Sequence, residues 1–306
     1  MSFHGALSGS AGTESQELLD SMRDWPSIRV LDVGAMSEGE DRYTPLVKAG
    51  KATVTGFEPN PEQFQLLQAK GGPNRYIQAF LGNGEQASFQ LTCWPGCSSL
   101  LQPNVELIEL FETIGAKTGG NFTVVESVPV QTTRLDDIRP PIQVDYIKID
   151  VQGAELDVLR NGVEVLRGTV VIESEVEFVP LYEGQPLFGD IQCFLRDQGF
   201  MLHKFVDVAG RAFRPFRMPN PFVPLSQLLW ADAIFVRDFT RLELWRDEDL
   251  LKGAVVLDVA YHSYDLAALL LQEYECRKPS GLYKLYLTTL SRESLQPQTC
   301  NIKDHS

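Results

Sequence analysis

The 306-residue chain has no surplus of positive charge: 27 Lys and Arg stand against 41 Asp and Glu, a formal net charge of −14. Binding held by phosphates needs Lys and Arg to displace counterions, so this balance argues against a nucleic-acid partner. Nor does any run approach the ~18 consecutive apolar residues of a membrane span. The longest candidates, residues 254–260 and 266–271, are bounded by polar side chains. Residues 1–16 lack a basic start followed by an apolar stretch, so no secretory signal is expected there, and Gly5, Ser8, Gly9, Ser10, Gly12 and Ser15 suggest a mobile leader. The five cysteines are odd in number and scattered, with no Cys-x-x-Cys pair, and reduced thiols in a cytoplasmic setting fit best. With four histidines in the whole chain, Cys93 and Cys97 read as a turn with two small thiols rather than as half of a metal or redox site, and no metal is assigned.

What the chain does have is a series of short apolar segments: 28–33, 53–57, 76–80, 146–151, 169–173 and 233–236. Several are apolar on successive residues, the pattern of strands covered on both faces. Helical patterns at 61–70, 154–160 and 188–198 lie between them, so the fold class expected is α/β, doubly wound, with flanking helices. Strands at 88–91 and 124–132, with a helix around 106–114, form an insertion. From about Arg241, Leu and Val recur every three to four residues and describe a helical C-terminal appendage, with a turn at His262 and Ser263. The expected organisation is a leader at 1–16, an α/β domain at 17–240 and the helical appendage at 241–306, which packs either on the core or, in a homodimer, on a second subunit.

Three strand ends carry the chemistry. In Leu31-Asp32-Val-Gly34-Ala35 a buried strand ends in a glycine turn, which lets backbone approach a ligand at the carboxyl edge of the sheet. In Phe57-Glu58-Pro59-Asn60 the second strand ends in a carboxylate at about the distance, roughly 20 residues on, that suits a clamp on ribose hydroxyls. The alternative is that Glu58 only caps the helix starting at Pro61. In Asp145-Tyr-Ile-Lys148-Ile-Asp150-Val-Gln152-Gly153-Ala-Glu155 three ionisable groups crowd one strand end, which is costly unless they are used or paired. A Lys148 ion pair with Asp145 or Glu155 accounts for Lys148 as well as catalysis does.

Together these segments resemble the FkbM family of methyltransferases. The likeness is strongest in residues 145–155, where Gln152 replaces a Glu of the family pattern. It is supported by Leu31-Asp-Val-Gly-Ala, Phe57-Glu-Pro-Asn-Pro and Thr133-Arg-Leu-Asp-Asp137, and spans roughly residues 28–237. One departure is that the second glycine of the first turn, Gly39, falls one residue late, after Met36-Ser37-Glu38. The resemblance implies a Rossmann-like class I methyltransferase sheet and methyl transfer from S-adenosyl-L-methionine to a hydroxyl of a sugar, glycan or secondary metabolite. Asp32, Gly34, Ala35, Glu58, Pro59 and Asp150 are then candidates for the cofactor.

Asp150 leads the candidates for catalysis, as base or as orienting group, followed by Glu155 and by His203, whose alternative is an ordinary core histidine. Glu175, in the run Glu173-Ser-Glu175-Val-Glu177 after the fifth core strand, is a substrate candidate; with Asp150 it could also hold a divalent cation, though solvated strand-end charge is the plainer reading. Ser98 and Ser99 resemble a serine pair of the family, and with Arg214 and Trp230 they complete the acceptor candidates. Arg214 belongs to the basic stretch 211–217, whose alternative is a loop paired with neighbouring acids. Two other functions share the fold: an NAD(P)-dependent oxidoreductase, disfavoured because no tight Gly-x-Gly-x-x-Gly follows the first strand, and a degenerate module that binds a partner through the C-terminal helices.

Overall fold

The computed structural model describes residues 25–36, 40–220, 222 and 226–292. The expected leader, the turn carrying Gly39 and the chain after residue 292 lie outside the described residues. Those described fall into two compact units, Ser27–Glu243 and a second that includes everything from Leu244 on.

In the first unit the strands are β1 (Ile28–Val33), β2 (Ala52–Phe57), β3 (Arg75–Ile77), β4 (Phe80–Leu81), β5 (Gln86–Thr92), β6 (Val124–Thr133), β7 (Tyr146–Ile149), β8 (Val171–Glu177), β9 (Phe200–Gly210) and β10 (Leu228–Arg237). Seven of them form one sheet in the order β3-β2-β1-β7-β8-β10-β9. The members from β3 to β8 run parallel, and β10 is antiparallel to both neighbours. This is the α/β, Rossmann-like sheet expected from the uninterrupted apolar strands. Their side chains, including Leu31, Val33, Ile147, Ile149, Ile172 and Val176, pack with Leu156, Leu159, Ile191 and Leu195 of the covering helices into one core.

The chain leaves β1 toward β2 and β3, then returns on the other side of β1 as β7. Strand order therefore reverses between β1 and β7, and the carboxyl ends there are the natural ligand crevice of such a sheet. The opposite ends are tied by Arg29, whose backbone N–H and guanidinium reach the Asp145 carboxylate at 2.6–2.8 Å. The helix Pro61–Ala69 starts with Pro at its first position, and the Asn60 side chain accepts from the backbone N–H of Glu62 and Gln63. Asn60 is thus the cap, not Glu58.

A smaller sheet, β4-β6-β5, carries the insertion. The single strand expected at 76–80 is divided, since β3 joins the large sheet and β4 the small one. The helix expected around 106–114 is limited to Val105–Ile108, because the chain then turns, with Thr113 at φ 64°, to bury Phe111 among Ile108, Phe122 and Tyr182. Glu173, Glu175 and Glu177 belong to β8 itself rather than following it, and Glu173 and Glu177 are buried. The expectation of solvated strand-end charge is corrected: β10 pairs with β8 as far as Glu177 and encloses it.

The second unit is helical over Asp247–Val259, Tyr264–Arg277 and Leu282–Arg292. Three acids in the first turn of Asp247–Val259 suit the positive end of that helix. Arg277 donates to the Trp245 carbonyl at 2.7 Å and to Glu273 at 2.8 Å, and the Tyr286 hydroxyl donates to Asp258 at 2.7 Å. Among the described residues no helix is long and apolar enough to cross a membrane.

Candidate active site

A cavity of about 270 Å³ opens at the carboxyl ends of β1, β2 and β7, close to the lower end of the size range of small-molecule sites. Gly34, Glu58 and Pro59, Lys148 and Asp150 line it, with Phe80, Phe89 and Ser98 from the small sheet and the turn after it. Gly34 is fixed by the crossing of two strand ends. It has φ +83°, and a Cβ there would come within 1.9 Å of the Asp150 carbonyl oxygen, so no other residue fits without moving β1 from β7.

Glu58 accepts the Asn60 N–H at 2.6 Å, and its carboxylate keeps acceptor capacity for hydroxyls in the cavity. Burial pushes its pKa up to about 7, against the pull of the Asn60 N–H. Behind the wall, Asp32 accepts from the Tyr43 hydroxyl at 2.6 Å and lies 3.6 Å from the Lys148 ammonium. Burial raises Asp32 to about 6 in spite of Lys148. Burial also opposes the charge on Lys148, but Asp32, Asp150, Asp41 and Glu173 outweigh it and hold the ammonium above its ordinary range. The ion pair expected with Asp145 or Glu155 is therefore replaced. Lys148 is the register partner of Asp32 across β1 and β7, whereas Asp145 is taken by Arg29 at the far end. Ala35 is buried, its N–H on the Phe57 carbonyl, and shapes the β1–β2 junction without lining the cavity.

Next to the cavity wall lies a group of carboxylates. Single ligand atoms of Asp150, Glu155 and Glu175 all lie within 4.8 Å of one another. Gln152, with the uncommon backbone φ of +56°, donates its amide to Asp150 Oδ1 at 2.8 Å and to Glu175 Oε2 at 2.7 Å. Its amide oxygen accepts from the Tyr182 hydroxyl at 3.2 Å. Glu155 is 1 % exposed and accepts from the backbone N–H groups of Val151 and Gly153, so it shapes the loop that presents Asp150. Burial, then the Asp150 charge, raise it to about 7, against those N–H donors. Glu175 and Glu177 are raised well above the carboxylate range, first by burial and then by the neighbouring acids.

The remaining candidates are spread around this centre. Ser98 lines the cavity and its hydroxyl accepts the Thr92 N–H. Ser99 is buried and donates to the Gln152 carbonyl at 2.6 Å, which makes it a support of the 150–153 loop. His203 is not brought to the carboxylates. It is the extra residue at a β-bulge on β9, with β10 between it and β8.

Arg214 is not an open basic patch: its guanidinium clasps the Glu109 carboxylate at 3.0 Å and the Glu109 and Ile114 carbonyls. Arg211, nearly buried, stands over the rings of Trp230 and Phe222 at 4.8 and 5.1 Å, so Trp230 serves that stack. Gln152 and Tyr182 carry no site role in the sequence pattern, and Glu177 is present there only as a member of the acid run 173–177. The substitution of Gln152 for a family Glu was the one visible signal for Gln152, and the period-two run of acids for Glu177.

Residues 32–202 match the methyltransferase FkbM domain. The chain belongs to the FkbM methyltransferase family. It is 30 % identical over 182 residues to the 2-O-methyltransferase NoeI of Sinorhizobium fredii (strain NBRC 101917 / NGR234), covering 54 % of this chain and 70 % of that protein. Partial likenesses among solved structures include a TehB-like SAM-dependent methyltransferase of Corynebacterium glutamicum, 14 % identical, with a TM-score of 0.33 over 73 % of this chain and 87 % of that one. Another is a precorrin-6y C5,15-methyltransferase of Geobacter metallireducens, 15 % identical, with a TM-score of 0.32 over the same shares. The FkbM chain is accordingly a methyltransferase, and the oxidoreductase alternative falls away.

Proposed function

We propose that this FkbM methyltransferase is an S-adenosyl-L-methionine-dependent O-methyltransferase whose acceptor is a hydroxyl of a sugar, glycan or secondary metabolite. The observation that carries the reading is the cavity where strand order reverses, walled by Gly34, by the Glu58 carboxylate and by Asp150. Those residues fit the group: Glu58 suits ribose hydroxyls, and Asp150 places negative charge where a sulfonium is held. Bound there, the cofactor supplies an electrophilic methyl and departs as a neutral thioether. Gly34 and Pro59 shape the wall, while Asp32 and Ala35 support it from behind.

The name of the Sinorhizobium relative, a 2-O-methyltransferase, supports an oxygen acceptor. Methyl transfer to oxygen needs an in-line hydroxyl and somewhere for its proton to go. Asp150 positions the hydroxyl at the inner wall, and the carboxylates around it receive the proton. Ser98 is assigned to the acceptor side of the cavity and Glu175 to the acceptor's hydroxyls. Glu155, Ser99, Trp230 and Arg214 act at one remove, and His203 takes no part in this assignment. A homodimer through the C-terminal unit belongs to the same proposal, supported by Leu269, Leu285 and Leu287, each more than 40 % exposed.

The test is calorimetry with S-adenosylhomocysteine on wild type and Glu58→Gln, followed by turnover with candidate sugars. Binding that the substitution weakens about tenfold supports the assignment. Absence of binding overturns it.

A further inference from the structure

We infer that Asp150, Glu155 and Glu175 form a binding site for one divalent, oxygen-preferring cation beside the cavity. Three carboxylates offer ligand atoms within 4.8 Å of one another. That is the span of oxygens on opposite sides of an ion whose bonds to oxygen are about 2.3–2.6 Å, the distances of Ca²⁺. The Gln152 amide takes one oxygen each of Asp150 and Glu175 and leaves the second of each without a partner among the described residues. Glu155 receives two backbone N–H groups, and a carboxylate has about four acceptor positions, so capacity remains for an ion.

The second, independent observation is Glu177. It is 2 % exposed, it lies on the same face of β8 as Glu175, and its Oε2 has no hydrogen-bond partner among the described residues. Standing two residues beyond Glu175 on that face, it extends the row of acids to which Glu175 belongs. The Gln185 amide lies nearby and eases its charge, yet Gln185 Nε2 is itself without a normal hydrogen bond. A buried carboxylate oxygen left open is expensive. Among the described residues no Lys, Arg or His nitrogen comes within 4.0 Å of any of these four acids. On the same face of β8, Glu173 has Arg42 at 2.6 Å and the Tyr146 hydroxyl at 2.8 Å. Lys148 acts on Asp150 from beyond that distance, and no described cation makes direct contact with the four acids.

What the ion does rests on the methyl-transfer reading. Asp150 belongs both to the cluster and to the cavity wall, so an acceptor hydroxyl reaching that wall meets the ion. A dication lowers the pKa of a hydroxyl brought against it. The oxygen–methyl bond then forms as the sulfur–methyl bond breaks, and the hydroxyl proton goes to a carboxylate of the cluster.

The test titrates chelator-treated, full-length protein with Mn²⁺, following loss of the free-ion signal by electron paramagnetic resonance. The expected result is one Mn²⁺ per chain, with Glu175→Gln raising the dissociation constant at least tenfold. Pulsed spectra of the wild-type complex, which require no variant, should show only oxygen ligands. Absence of stoichiometric binding, equal binding by a folded Glu175→Gln protein, or a histidine nitrogen coupling would each overturn the site. S-adenosylhomocysteine binding is measured on the same preparation. If the cofactor product binds and Mn²⁺ does not, the cation site fails alone; if Mn²⁺ binds and the product does not, the cofactor reading fails and the site stands.

Discussion

On one flank of the β7–β8 edge, Asp32 and Asp41 face Lys148, and Glu173 faces Arg42 and Tyr146. On the other flank Asp150 and Glu175 share the Gln152 amide, Glu155 accepts two backbone N–H groups, and Glu177 has the Gln185 amide nearby. The acids on both flanks are drawn from the ends of the same strands. What differs is the neighbour each meets: acids of the first flank touch a Lys or Arg of the protein within 4.0 Å, and those of the second touch amides. The first group therefore holds β1 to β7 and the second is available for chemistry.

Three substitutions probe this division and a fourth, at Glu58, probes the cavity beside it, in order of expected effect. Asp150→Ala removes the acid shared by the cavity wall and the carboxylate group. Turnover should fall by about 10²-fold or more, the usual cost of misplacing a reacting group, with the far-ultraviolet circular dichroism unchanged. Near-full turnover would move the active group elsewhere.

Lys148→Met strikes the first flank. It leaves Asp32, 2 % exposed, without its cation, and breaking such a pair costs about 3–5 kcal/mol, read as a lower midpoint in urea. An unchanged midpoint would show that the pairing does not hold the strands.

Glu58→Gln has a smaller effect with a sign in pH. Because the folded pKa is raised to about 7 from 4.5, the folded protein holds this proton more tightly than the unfolded chain does. The resulting stability is fully present below pH 4.5 and is lost as pH rises through 7. Ribose hydroxyls favour the ionised form, so affinity for S-adenosylhomocysteine should rise between pH 6 and 8 in wild type. In Glu58→Gln affinity should be flat and about tenfold weaker at pH 8. A wild-type affinity independent of pH would contradict the ribose role.

Glu177→Gln is the smallest change and the sharpest contrast. It neutralises one acid of the second flank, so chelator-treated protein should gain up to about 1 kcal/mol, where Lys148→Met loses several. A large loss on Glu177→Gln would erase the distinction.

The sheet could be read from the chain because its strands are apolar on successive residues, and Gly34, Glu58 and Asp150 because each ends such a strand. The β8 acids could not: Glu173-Ser-Glu175-Val-Glu177 has the alternation of a half-exposed strand, and only the antiparallel return of β10 buries it. The partner of Lys148 depends on register: Asp32 lies opposite it across β1 and β7, and Arg29 takes Asp145 just ahead of β7. Arg214 looked available because Glu109, which holds it, comes from the insertion 105 residues earlier. His203 fitted a catalytic pattern by residue type alone, and its bulge on β9 is invisible before the sheet is assembled.

The Ser99 hydroxyl on the Gln152 carbonyl has a practical meaning for altering acceptor choice. It bolts the insertion to the loop that presents Asp150, so the two are mechanically one part. Grafting the insertion of another FkbM protein onto this scaffold should succeed when the serine and residues 150–153 travel together. Transplanting the outer loops alone would leave the donor's specificity without its anchor.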